Sequence, residues 1–129
     1  MPSIRKKRIL LVDDEPSVRE AIGMLIEALG GEVAAEAEDG LQALELYRRG
    51  NFDIVVTDHN MPRMRGDALA DAIKAINPQQ RIVMVSGFAE QVMRNGVLPA
   101  SIDVLVNKPC HLEELKRALQ GRNGDEPVK

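Results

Sequence analysis

Four short stretches carry most of the chain's reactive side chains: Asp13-Asp14-Glu15, Asp58, Ser86-Gly87 and Lys108-Pro109. Each lies at the end of a short apolar run, such as Ile9-Leu10-Leu11-Val12 before Asp13 and Ile54-Val55-Val56-Thr57 before Asp58. If those runs lie side by side, three Asp carboxylates, one hydroxyl and one ammonium meet at a single edge. Three carboxylates within a few ångströms repel one another, so an empty cluster is destabilising. A hard divalent cation relieves that repulsion, and Mg2+ commonly uses one or two carboxylates together with water and phosphate oxygens. Lys108 adds a compact positive charge on a long stem, suited to a phosphoryl oxygen. Ser86 adds a hydroxyl donor, and Gly87 lets a backbone N–H approach closely. A carboxylate held beside such a metal and lysine can attack phosphorus and form an acyl phosphate. The metal and Lys108 would neutralise charge on the transferring group.

Each of these residues also has an ordinary reading. An Asp or Glu after a strand is commonly a helix cap or turn residue. Asp58 precedes Asn60-Met61-Pro62 and fits a turn, Ser86-Gly87 is a common turn pair, and Lys108 fits a surface lysine. The functional reading rests on five placements coinciding at one edge, where they meet the geometry demanded of a site.

The elements that must position them follow from hydrophobic periodicity. Short apolar runs occur at Ile9–Val12, Val33–Ala37, Ile54–Thr57, Ile82–Val85 and Val104–Val106. Most are apolar at consecutive positions, as expected of strands buried on both faces of a parallel sheet. Val33–Ala37 is the weakest, because alanine has little strand preference. Between and after them lie helical stripes: Val18, Ile22, Leu25 and Leu29, ended by Gly30-Gly31; Leu41, Leu44 and Tyr47, between Asp39 and Gly50; Leu69, Ile73 and Ile76, stopped by Pro78; and Leu112, Leu115 and Leu119, stopped by Gly121. A further helix is expected from Ala89 to about Asn95, on fewer apolar positions. The order is β-α five times. It implies an α/β, doubly wound, flavodoxin-like (βα)5 sandwich around a five-stranded parallel sheet with right-handed crossovers. The expected strand order is 2-1-3-4-5, with ligands at the carboxyl ends of the strands.

Composition bounds the function classes. The 129 residues are 44% apolar and 29% charged, ordinary for one soluble domain. We expect a single domain over 1–129, with a core from about 7 to 120 and polar tails at 1–6 and 121–129. The net charge of −3 gives no general reason to expect nucleic acid or an anionic membrane as partner. No stretch approaches the roughly 20 apolar residues of a membrane span, and the start of the chain lacks the apolar segment of a secretory signal. One cysteine, Cys110, excludes an intrachain disulfide and fits a reducing cytoplasm. The basic cluster Arg5-Lys6-Lys7-Arg8 reads as solvated, since no aromatic interleaving supports nucleic-acid binding.

With these residues in hand, the chain resembles the receiver domain of two-component response regulators, the CheY-like superfamily. The resemblance is carried by Ile9–Glu15, by Thr57-Asp58-His59-Asn60-Met61-Pro62-Arg63-Met64-Arg65-Gly66, by Val85-Ser86-Gly87 and by Lys108-Pro109, and it spans about Lys7 to Gln120. It implies a signalling switch rather than an enzyme acting on other molecules. Asp58 matches the phosphoacceptor, charged by a sensor histidine kinase or a histidine phosphotransfer protein. Asp14 matches the direct carboxylate ligand of Mg2+, Asp13 the one acting through water, and Asn60 the position whose backbone carbonyl also ligates. Ser86 matches the hydroxyl residue that contacts the phosphoryl group, and Lys108 the lysine that pairs with it. The Lys108-Pro109 bond matches one that is cis in the family. The effector is an unnamed protein, and the resemblance implies docking or homodimer formation through the fourth helix, fifth strand and fifth helix.

Three positions depart from the family pattern. Leu105 stands where a rotating Tyr or Phe is frequent, Arg65 where an acid often precedes Gly66, and Cys110 where Phe often follows Lys-Pro. Asn60 and Phe88 occupy positions that tune acyl-phosphate lifetime. Phe88 offers no acid or amide to orient water, which implies slow-to-moderate self-dephosphorylation. His59 is expected to be a rim residue contributing its backbone N–H, and His111 a capping or surface residue. Three other functions compete. An aspartyl phosphatase would carry Asp-x-Asp after its first strand and a cap domain; neither fits. A nucleotide or flavin binder needs a phosphate loop there, and Asp13-Asp14-Glu15 would repel phosphate. A receiver-like module that is never phosphorylated would need none of the five polar residues. Nine residues follow Gln120, so output is expected from another molecule or from a part of the protein outside this chain.

Overall fold

The computed structural model describes residues 4–88, 92–93 and 96–120. Along them lie β1 (Arg8–Val12), α1 (Pro16–Ala28), β2 (Glu32–Ala37), α2 (Gly40–Arg49), β3 (Ile54–Thr57), α3 (Gly66–Ile76), β4 (Arg81–Ser86), β5 (Val104–Asn107) and α4 (Leu112–Gln120). The strands pair in parallel in the order β2-β1-β3-β4-β5, as the alternating pattern predicts. The helix expected over Ala89 to Asn95 falls largely on residues outside those described.

Strand side chains alternate between faces, and here both faces are covered. Ile9 and Leu11 of β1 join Ile22 and Ile26 of α1 and Leu115, Ala118 and Leu119 of α4 in one core. Leu10 and Val12 join Ala43, Leu44 and Tyr47 of α2 and Leu69, Ala70 and Ile73 of α3 in the other. The same split divides Ile54 and Val56 from Val55, and Val83 and Val85 from Ile82 and Met84. Burial on two faces is why these runs are apolar without alternation. Each fully buried aliphatic side chain contributes about 1.5–3 kcal/mol of transfer free energy.

Local chemistry sets the helix ends. Pro16 sits in the first turn of α1. The helix stops at Gly30 (φ +95°), where the Gly31 N–H donates to the Ile26 carbonyl at 3.0 Å. Asp39 caps α2 by accepting the Gln42 N–H at 2.8 Å, and the Gln42 side chain accepts the Glu38 N–H at 2.8 Å.

Several expectations are corrected. Ile4 lies within the predicted polar lead-in, yet it is 2% exposed and belongs to the α1–α4 core. Lys6, at φ +63°, turns the chain, and its N–H donates to the Gly30 carbonyl at 2.9 Å. Leu41, Ile76 and Leu112 belong to predicted stripes but are exposed, each within a turn of a helix end. Ile26, Ala43, Ala70 and Ala118 are buried among the helices.

Candidate phosphoacceptor site

Sheet register assembles the site. Val12 pairs with Thr57, so Asp13 and Asp58 leave adjacent strands side by side. Thr57 pairs with Met84, and Ser86 with Asn107, so Ser86 at the end of β4 and Lys108 just past β5 lie at the same edge. Carboxylate oxygens of Asp13, Asp14 and Asp58 lie within 4.8 Å of one another. Lys108 Nζ bridges two of them, 3.1 Å from Asp13 Oδ2 and 3.3 Å from Asp58 Oδ1. Asp13 and Asp58 are buried, and Asp14 is more open to solvent.

Backbone groups or neighbouring side chains hold Asp13, Asp58, Ser86 and Lys108. The Glu15 N–H donates to Asp13 Oδ1 at 2.9 Å, and Arg19 Nη1 donates to the Asp13 carbonyl at 2.6 Å while its Nε pairs with Glu36. The His59 N–H donates to Asp58 Oδ1 at 2.8 Å. Gly66 packs under the phosphoacceptor candidate. Its N–H donates to the His59 carbonyl at 2.8 Å, and a Cβ there would overlap the Asp58 carbonyl oxygen. Ser86, 1% exposed, accepts the Phe88 N–H at 3.0 Å. Its carbonyl accepts the Lys108 N–H at 3.0 Å, and the Lys108-Pro109 peptide is cis. Asn60 lies two residues past Asp58, exposed on the following loop.

Burial raises the Asp58 pKa above the ordinary carboxylate value, and the Asp13 charge adds to the rise; Lys108 and the His59 N–H oppose it. Burial disfavours the Lys108 charge, but Asp58 and Asp13 outweigh it and hold its pKa above that of a free lysine. The cluster is thus anionic and under mutual repulsion, answered among the described residues by the Lys108 ammonium. Oxygen ligands in this number suit a hard divalent cation.

His59 is not a rim residue. Its ring is 1% exposed, with Nε2 3.2 Å from Arg65 Nη2 and 3.8 Å from Asp67 Oδ2. A guanidinium only donates, so Nε2 is the acceptor of that contact, and Nδ1 has no hydrogen-bond partner among the described residues. Its backbone N–H does serve Asp58 as expected. His111 is exposed, and its carbonyl accepts the Leu115 N–H at 3.0 Å in the first turn of α4. The Cys110 thiol is pushed up to about 11 by burial and Glu114, consistent with a packing residue.

Sequence reasoning missed two arginines. Arg19 fixes the backbone under Asp13 from one turn inside α1. Arg63, at φ +68°, forks onto the buried Asp39, with Nε 3.1 Å from Oδ2 and Nη2 3.2 Å from Oδ1. No local signal links residues 24 positions apart in two loops.

The sequence profile of the response regulator receiver domain family matches residues 9–120. The chemotaxis protein CheY of Bacillus subtilis is 37% identical over 112 residues, covering 87% of this chain and 93% of that protein. The signal receiver domain of NarL from Mycobacterium tuberculosis superposes with a TM-score of 0.81 at 27% identity, covering 92% of this chain and 99% of that one. A chain of the CheX–CheY–BeF3–Mg2+ complex from Borrelia burgdorferi shares the fold, with a TM-score of 0.80 at 24% identity over 89% and 87% of the two chains. The profile match runs from β1 through α4, the carboxylate edge included, and the chain belongs to the response regulator receiver domain family.

Proposed function

We propose that this domain is a phosphorylation-dependent signalling switch in which Asp58 accepts a phosphoryl group from a histidine kinase or histidine phosphotransfer protein. The observation that carries this reading is the Lys108 bridge between Asp13 and Asp58 at the three-carboxylate edge. Asp58 Oδ1 is held by the His59 N–H and Lys108, so we assign the attack to Oδ2. The new O–P bond forms as the P–N bond of the donor phosphohistidine breaks, and the electron pair leaves with the imidazole nitrogen. Lys108 then exchanges part of its hold on Asp58 for a phosphoryl oxygen, and Ser86 turns its hydroxyl from the Phe88 N–H to another.

The side chains of Asp13, Asp14 and Asp58, with the Asn60 carbonyl, would hold Mg2+. When bound, Mg2+ supplies the positive charge that lets three carboxylates and a phosphoryl group share one site. The reorganised edge changes which protein partner binds. Among the described residues no helix is long and apolar enough to cross a membrane, in keeping with a switch that works in the cytoplasm. Docking or homodimer formation would use the 89–95 segment with β5 and α4. Leu105 of β5 is half-buried against the α2–α3 core, so any reporting motion on that face proceeds without an aromatic rotor.

Incubation with Mg2+ and acetyl phosphate tests the reading by intact mass. Wild type gains one acid-stable, base-labile phosphoryl group, while Asp58→Asn gains none and EDTA abolishes the gain. Continuous hydrolysis of phosphate esters would instead indicate a phosphatase. No adduct under any condition would indicate a module that is never phosphorylated.

A further inference from the structure

The loop between β3 and α3 begins at Asp58 and carries the Asn60 carbonyl. Three contacts fix its far half. Met61 is buried in the α2–α3 core. Met64 lies against Gly40 so closely that a Cβ on Gly40 would come within 2.7 Å of Met64 Cβ. Between them, Arg63 forks onto Asp39 across 24 residues. Asp39 is a firm anchor, since it is buried and caps α2 through the Gln42 N–H. A bidentate guanidinium on a fixed carboxylate sets orientation as well as distance.

The backbone at Arg63 makes this contact conspicuous. Its φ of +68° is a left-handed conformation, which glycine adopts without penalty and residues with a Cβ do not. An arginine there opposes the backbone preference, and its side chain is used. Mg2+ accepts little deviation from octahedral geometry, so a ligating carbonyl on an exposed loop must be held in place. Groups that orient a metal's ligands commonly govern affinity without touching the ion.

We infer that Arg63 is a positioning residue for the metal site: locked on Asp39, it sets the loop backbone that presents the Asn60 carbonyl. This rests on the phosphoacceptor reading above.

Arg63→Gly removes the fork and the left-handed penalty together, which separates positioning from simple stabilisation. By calorimetric titration with MgCl2, without any phosphodonor, Arg63→Gly should bind Mg2+ about tenfold more weakly than wild type, the lower end of outer-contact effects. Its Tm in EDTA should be unchanged or raised. Arg63→Lys keeps the charge but not the fork and should fall between. Asp39→Asn keeps the helix cap and should match Arg63→Gly, with the double variant no weaker than either. Wild-type affinity in Arg63→Gly and Asp39→Asn would overturn the inference while leaving the phosphoacceptor reading intact. Absence of Mg2+ binding in wild type would overturn both.

Discussion

Lys108 is where the structure predicts the largest response to one substitution. Its Nζ lies 3.1 Å from Asp13 and 3.3 Å from Asp58. At an effective dielectric constant of about 20, each contact is roughly 5 kcal/mol of gross attraction. The carboxylates it answers lie within 4.8 Å of one another, a gross repulsion of at least about 3 kcal/mol per pair on the same scale. Lys108→Met keeps an unbranched side chain out to the ε position and deletes the ammonium with its charge. The gross terms shrink because the Lys108 side chain is 23% exposed and water screens the open side. Removing one partner of a buried pair costs about 3–5 kcal/mol, and partial exposure places this site at the lower end, about 3 kcal/mol. The raised Lys108 pKa fixes the pH window. A cation stabilised by folding contributes fully below the lysine range and fades only as pH rises through its folded pKa, so the effect is complete at pH 7. Urea unfolding in EDTA at pH 7 should therefore show a loss of about 3 kcal/mol. The loss should shrink as pH falls and the carboxylates protonate, and saturating Mg2+ should restore the variant more than wild type. A loss below about 1 kcal/mol, or one that Mg2+ leaves unchanged, would refute the picture of a repulsive cluster balanced by one ammonium.

The remaining predictions concern the same edge. Asp58→Asn should raise metal-free stability at pH 7. The folded Asp58 pKa is raised, so wild type loses stability as pH rises from about 4 through that value; a gain equal at pH 3 and pH 7 would contradict this. Gly66→Ala drives a Cβ into the Asp58 carbonyl and should cost about 3 kcal/mol in urea unfolding; a cost near zero would show that the loop yields freely. Phe88→Glu, at an exposed position beside Ser86, should change the first-order decay of phosphorylated protein, and identical decay would remove Phe88 from control of lifetime. Cys110, with its thiol pushed up to about 11, should react with iodoacetamide at pH 8 well over tenfold more slowly than free cysteine; an equal rate would show an open thiol.

The central sheet was readable because its strands are buried twice. Ile9–Val12 and Ile54–Thr57 have no polar face to reveal, and that absence identifies a parallel strand under two helical layers. Asp13, Asp58, Ser86 and Lys108 were readable together because a parallel sheet puts strand ends in one row. What escaped depends on contacts that periodicity does not encode. Ile4 hides beside four basic residues, and its burial depends on a positive φ at Lys6. Ala43, Ala70 and Ala118 are core because helices approach closely there, and alanine carries too little hydrophobicity to announce it. Leu41, Ile76 and Leu112 fit helical stripes, but each lies within a turn of its helix end and is exposed. His59 is buried by Arg65 and Asp67 from the start of α3, an arrangement set by the loop and not by its neighbours in sequence.

The Asp13–Lys108 contact spans 95 residues, from the end of the first strand to the end of the last. Closing a contact of such separation carries a large loop-closure entropy, which slows its formation. On a ribosome moving at about 5–20 residues per second, Lys108 follows Asp13 by roughly 5–20 s. Throughout that interval the nascent chain carries its acidic residues without the ammonium that answers them. An unfinished or clipped chain that lacks β5 would therefore stay silent: competence to receive a signal would itself certify that synthesis and folding are complete.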